Sequence, residues 1–158
     1  MKTMRLFPLE LRRLLQSRLT WLIMALTVLS PVLGLVLYKP ATSTTMLSMY
    51  LANPAIAGGA AGAILFGLLA IFELDRARRS RVDILTDAVV SPLTTALTRL
   101  LALLTAAVLT AGLTMLVWLP ISAGLIGSVF TGVNFLLAYL LLMGLALPLG
   151  ILAAAAAY

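Results

Sequence analysis

The sequence contains neither cysteine nor histidine, and only 10% of its 158 residues are charged. Without cysteine there is no disulfide, no thiolate nucleophile and no zinc-finger spacing. Without histidine the usual general base and the commonest metal ligand are missing. No G-x-x-x-x-G-K-[ST] run occurs, so there is no P-loop to cradle ATP phosphates. The five acids are Glu10, Glu73, Asp75, Asp83 and Asp87. Glu73 and Asp75 are the closest pair, but a two-residue spacing does not bring side chains to one face of a helix. These absences argue against an enzyme and against a resident metal or cofactor.

What is present is apolar. The hydrophobic class makes up 63% of the chain, against about 45–50% apolar and roughly 25% charged residues in an ordinary soluble domain. A surface of that kind cannot be covered with polar groups, and disordered chains have the opposite composition. The placement of the charges divides the chain. They lie before residue 19, at Lys39 alone, and between Glu73 and Arg99, which leaves 19–38, 40–72 and 100–158 uncharged. A membrane-spanning helix needs about 20 mainly apolar residues. The expected fold is an all-α polytopic membrane bundle of four spans, at about 19–38, 55–72, 100–120 and 133–157, forming a single transmembrane domain.

Within the first span Pro31 removes one backbone hydrogen bond and predicts a kink, with Trp21 and Tyr38 placed as interfacial aromatics. The hydroxyl-rich run after Lys39 and Pro40 ends in Asn53-Pro54, a turn signal, and reads as an external loop. The second span opens on small residues. Gly58 and Gly62 form a G-x-x-x-G pair, which suits a close helix packing surface more than a conduction path. In the last uncharged stretch the cluster Gly124, Gly127, Ser128, Thr131, Gly132 and Asn134, following Trp118 and Pro120, predicts the break between spans three and four. Pro148 predicts a second kink. The chain ends on AAAAAY without charge or cap, so it reads as an incomplete fold.

Ten of the eleven basic residues lie before residue 19 or between spans two and three, and Lys39 is alone on the other side. The positive-inside rule then places the N-terminus and the 73–99 loop in the cytoplasm, in a multi-pass protein of a bacterial-type cell membrane. No stacking aromatics accompany the arginines, so the basic charge is a topology signal and not a nucleic-acid site.

Both cytoplasmic segments carry amphipathic patterns. In LFPLELRRLLQSR, Phe7, Leu11, Leu14 and Leu15 share one helical face, which predicts an interfacial N-terminal helix on the lipid bilayer. In the loop 73–99, Ser80 and Asp83 have capping-box spacing, and Val82, Leu85 and Val89 share a face. They predict a short helix that stops before Pro92, where the helix of span three begins. A helix of that length needs a surface to bury its apolar face. Asp83 and Asp87 on its polar side are repelled by anionic headgroups, so a protein partner fits better than lipid.

This arrangement resembles the membrane subunit of ABC transporters, specifically the type-two export permeases. The likeness rests on the basic N-terminal helix ending in ELRRLLQSR, on Phe72-Glu73 closing span two, and on the Arg-rich turn followed by VDILTDAVV. Ser91-Pro92 and Arg99 at the foot of span three complete it. The resemblance implies that the 73–99 loop holds a coupling helix docked on a separate ATP-binding cassette subunit, which binds the ATP. It implies contacts through Glu73, Arg78, Arg81, Val82, Asp83, Leu85, Asp87 and Val89, and a second permease copy or half as partner. Members of the family have more spans than four, so the chain reads as an N-terminal portion. Other readings are a secondary transporter, disfavoured because no span holds an ionisable residue, and a non-transporting anchor or assembly protein that recruits a cytoplasmic partner. The spans offer only hydroxyls, Asn134 and Trp118 as polar points, which suits an apolar or amphiphilic cargo over an ionic one.

Overall fold

A computed structural model describes residues 2–37, 49–79 and 92–158. Among these residues the chain is almost entirely helical, with no strand. The helices are α1 (Lys2–Leu15), α2 (Arg18–Leu29), α3 (Pro31–Leu37), α4 (Met49–Arg79), α5 (Pro92–Ile126), α6 (Gly132–Tyr139) and α7 (Ala146–Ala157). Four helical segments are long and apolar enough to cross a membrane: Arg18–Leu37, Met49–Arg76, Leu93–Ile126 and Gly132–Ala157.

The first of these segments is α2 and α3 together, broken at Ser30. Pro31 has no N–H to give the Thr27 carbonyl. Ser30 replaces that donor twice, through its backbone N–H at 3.3 Å and its hydroxyl at 2.7 Å. The neighbouring Val28 carbonyl accepts from Trp118 Nε1 of α5 at 2.8 Å. The kink is therefore held by hydrogen bonds from its own turn and from the third span. Trp118→Phe leaves the Val28 carbonyl without that donor in an apolar interior, and is expected to lower stability by about 1–2 kcal/mol. Trp21 is the internal comparison, because its exposed indole donates to the Leu15 carbonyl at 2.6 Å, where water can substitute. Equal thermal shifts for Trp118→Phe and Trp21→Phe in the same detergent would rule out this role for Trp118.

Two prolines behave differently from expectation. Asn53-Pro54 does not end a loop: α4 runs through it for 31 residues, starting at Met49 and not near 55. Pro54 lies close to the start of α4, so only the Tyr50 carbonyl loses its helical donor, and Gly34 of α3 packs directly on the Asn53 carbonyl. Nor does Pro120 end span three, since α5 continues to Ile126. The break falls within the expected cluster, at Gly127, whose φ of 67° is a left-handed conformation that glycine adopts without strain. A 3₁₀ turn over Gly127–Val129 follows, closed by the Phe130 N–H on the Gly127 carbonyl at 3.0 Å. At 35 residues α5 is about 52 Å long, well beyond a hydrocarbon core of about 30 Å.

In span four the irregularity precedes Pro148. A π-helical turn over Leu140–Gly144 separates α6 from α7, and the ordinary spacing resumes with the Leu149 N–H on the Leu145 carbonyl. The proline's missing donor and ring affect the carbonyl four residues back, Gly144, which is where the π turn ends. Phe135, Tyr139, Met143, Leu147 and Ile151 nevertheless form a fully buried row at every fourth position. The Phe135 and Tyr139 rings stack at 4.4 Å between centroids.

The most extensive packing is between α4 and α7, followed by α3 with α4 and α1 with α5. The α4–α7 contact is a ridge of small residues. Gly59, Ala63 and Gly67 face Leu142, Ala146, Gly150 and Ala154, with backbones close enough that a Cβ on Gly59 meets the Leu142 carbonyl. Span three buries a second row, made of Thr98, Ala102, Ala106, Thr110, Thr114, Trp118 and Ser122. Thr98, Thr110 and Thr114 each donate to the carbonyl one turn back, at 2.7–2.8 Å. Their hydroxyls are thus satisfied within their own helix.

Candidate functional site: an ionic chain at the charged end of the bundle

Helix α1 is amphipathic in the way its sequence predicts. Leu14 is buried, and Phe7, Leu11 and Leu15 pack against the core, while Pro8, Leu9 and Arg12 face outward. The apolar face rests on α5, so protein covers much of it. The one-turn spacing of Glu10 and Arg13 places both on the inner flank of the helix. Glu73 and Arg76 have the same spacing at the end of α4, and Arg99 stands one turn before the buried Ala102 and Leu103 of α5.

These five side chains form one chain of alternating charge across three helices. Arg99 Nε lies 3.6 Å from Glu10 Oε1. Glu10 Oε2 lies 3.4 Å from Arg13 Nη1. Arg13 Nη2 reaches Glu73 Oε2 of α4 at 3.5 Å, and Glu73 Oε1 lies 3.6 Å from Arg76 Nη1. Side-chain exposure decides which links carry weight: 14% for Glu73 and Arg99, 22% for Glu10 and 33% for Arg13, against 57% for Arg76. The Arg76 link is a solvated pair of small worth. The inner three are shielded and tie α1 to both α4 and α5. Under them, Glu10, Leu14, Glu73, Arg99, Ala102 and Leu103 enclose a space of only about 10 Å³, at the lower limit for a single water.

Glu10 and Glu73 both meet Arg13, which lies between them as their shared counter-charge. Among the described residues no group of three or more acids converges. Of the sequence-predicted contact residues, Glu73 is a centre of the chain, and Arg78 lies in the last turn of α4. Arg81, Val82, Asp83, Leu85, Asp87 and Val89, with the short helix expected there, lie outside the described residues. Gly58 and Gly62 lie at helix contacts. A Cβ on Gly58 would come 2.9 Å from Pro31 Cγ, and one on Gly62 would come 2.6 Å from Leu147 Cδ1. Sequence reasoning did not join Glu10, Arg13, Arg76 and Arg99 into a site. The i,i+3 acid–base spacing in both helices was the available signal.

Beside the chain, α4, α5 and α7 enclose a cavity of about 310 Å³. Its wall is apolar, with Ala70, Leu74, Leu97, Leu100 and Ile151 among the lining residues, except where Glu73 and Arg99 enter it.

Fold and site together define a helical bundle with four helices apolar and long enough to span a membrane, cross-braced by charge at one end. Comparison with protein-family models, with curated proteins and with solved structures found no significant match.

Proposed function

We infer that the chain is the permease subunit of an ATP-binding-cassette exporter, forming part of the translocation path and driven by a separate ATPase. The N-terminus and the 73–99 loop lie on the cytoplasmic side of the cell membrane in this reading. It is supported by the excess of lysine and arginine at that end. A second permease copy or half completes the path.

The observation that carries the reading is the placement of both roots of the loop, Glu73 and Arg99, in one ionic chain with α1. A partner that displaces the loop thereby acts on three elements at once. Beyond each root a continuous helix leads into the apolar region, α4 on one side and α5 on the other. ATP closure would act on this end of the bundle, and α1 would move with it.

The test is co-purification with a P-loop ATPase co-expressed with the chain. Asp83→Arg, Asp87→Arg and Leu85→Asp are each expected to reduce recovery of the ATPase by about tenfold or more, as loss of a central interface contact does, with membrane insertion unchanged. Full recovery with all three variants would overturn the assignment.

A further inference from the structure

We propose that the corner between α1 and α2 is a binding surface for an anionic phospholipid, whose phosphate meets Arg12 and Arg18 and whose acyl chain lies along the outer side of α2. The surface requires that Arg18–Leu37 cross the membrane and stands whether or not the chain couples to an ATPase.

Charge decides the headgroup. The one acid of α1 is Glu10, which is taken up by Arg13 and Arg99, and α2 has no acid at all. Arg12 and Arg18 are both exposed. Neither guanidinium has an ion-pair or hydrogen-bond partner among the described residues. A headgroup of net negative charge matches two such cations, whereas the ammonium of a zwitterionic one finds no free acid on either helix to meet.

Position decides between lipid and protein. Arg18 opens the first membrane-crossing segment, and Trp21, Leu22, Ala25 and Leu29, at three, four, seven and eleven residues beyond it, are all exposed. That spacing makes one stripe along the helix. Within a span such a stripe meets acyl chains, out of reach of a cytoplasmic protein, so the phosphate site and the chain site are continuous. Helix α1 contributes its other side than the amphipathic pattern suggested. Its apolar face is covered by α5, and Pro8, Leu9, Arg12 and Gln16 are left outward. The Trp21 indole donates to the Leu15 carbonyl at 2.6 Å, which ties the last turn of α1, bearing Arg12, to the first turn of α2, bearing Arg18. An exposed tryptophan there is also the residue type that settles at a headgroup boundary.

The experiment reconstitutes the whole chain in phosphatidylcholine vesicles in which an equal fraction of lipid carries brominated acyl chains, as either phosphatidylglycerol or phosphatidylcholine. Tryptophan quenching is the readout. Trp118 is buried, so the lipid-dependent part belongs to Trp21 and should vanish in Trp21→Phe. Phosphatidylglycerol is expected to associate more tightly by about fivefold for each arginine, the attraction of one basic side chain to an anionic membrane surface. The double variant Arg12→Gln with Arg18→Gln, at two exposed positions, should bring the two lipids to equal quenching. Equal quenching in the parent, or a preference for phosphatidylglycerol that survives in the double variant, would overturn the proposal. An acidic protein on this face would show instead as lost ATPase recovery in the double variant with no lipid preference in the parent, which overturns it as well.

Discussion

Replacing Gly150 with leucine is expected to destabilise the bundle strongly, costing more than about 3 kcal/mol, with Gly150→Ala costing about 1–3. The reason is the partner. A Cβ on Gly150 would lie 2.7 Å from Ala63 Cα and still closer to the Ala63 carbonyl oxygen. Those atoms belong to the α4 backbone and cannot turn aside as a side chain can. The helices must then separate along the Gly59–Ala63–Gly67 ridge, where Gly67 is itself matched to the Gly150 carbonyl. In hydrocarbon no hydrophobic force replaces that contact, because lipid tails are as apolar as the helix surface. Gly62→Ala should be milder, since the atom it meets is the end of the Leu147 side chain. A Cβ on Gly112 would have nothing within 4 Å beyond its own helix, so Gly112→Ala should be neutral or stabilising by up to about 1 kcal/mol. Thermal unfolding in one detergent ranks all four variants. If Gly150→Leu melts with the wild type, the close α4–α7 approach is wrong.

The same ridge shows what a sequence of this kind conceals. The run from Ala55 to Gly67 contains so many small residues that several small-xxx-small registers overlap. Gly58/Gly62 is one, and Gly59/Ala63/Gly67 is another. Spacing cannot choose between them; the matching row Ala146, Gly150 and Ala154 does, and it lies more than eighty residues away in the chain. The spans themselves were legible because charge is excluded from them, and that exclusion is a property of composition alone. Their ends were less so at Pro54 and Pro120. In water an Asn-Pro pair or a proline beside glycines ends a helix, because solvent competes for the freed carbonyl. In apolar surroundings the helix continues, since every other backbone bond is worth keeping. Pro31 was legible as a kink, whereas its remedy was not. Ser30 lies next to it, but Trp118 comes from another span. The charged site follows the same division. Glu10 with Arg13 and Glu73 with Arg76 are visible as local pairs, while the Arg13–Glu73 and Glu10–Arg99 links depend on which helices meet.

Those cross-links give the second large effect. Glu73→Arg would set three guanidinium groups together in place of the carboxylate that now joins Arg13 to Arg76. Glu73 is mostly shielded, so the cost lies between that of an exposed pair and that of a broken buried one, about 2–3 kcal/mol. The damage should be directional. Helix α1 also rests on α5 through Leu14, Phe7 and Leu11, so it should stay on α5 while losing its hold on α4. Because the chain has no native cysteine, a spin-label pair at Arg12 and Leu68, both exposed, reports the α1–α4 distance directly. Its distribution should be narrow in the parent and broad in Glu73→Arg. The swap Arg13→Glu with Glu73→Arg restores the cross-helix pair but places two acids one turn apart on α1, at positions 10 and 13. Recovery should therefore be partial, and smaller in 1 M salt, where the screening length falls to about 3 Å. An unchanged distribution in Glu73→Arg would show that apolar packing alone positions α1. It would also remove the observation on which the coupling reading rests, because a loop whose root does not hold α1 cannot transmit movement to it through charge.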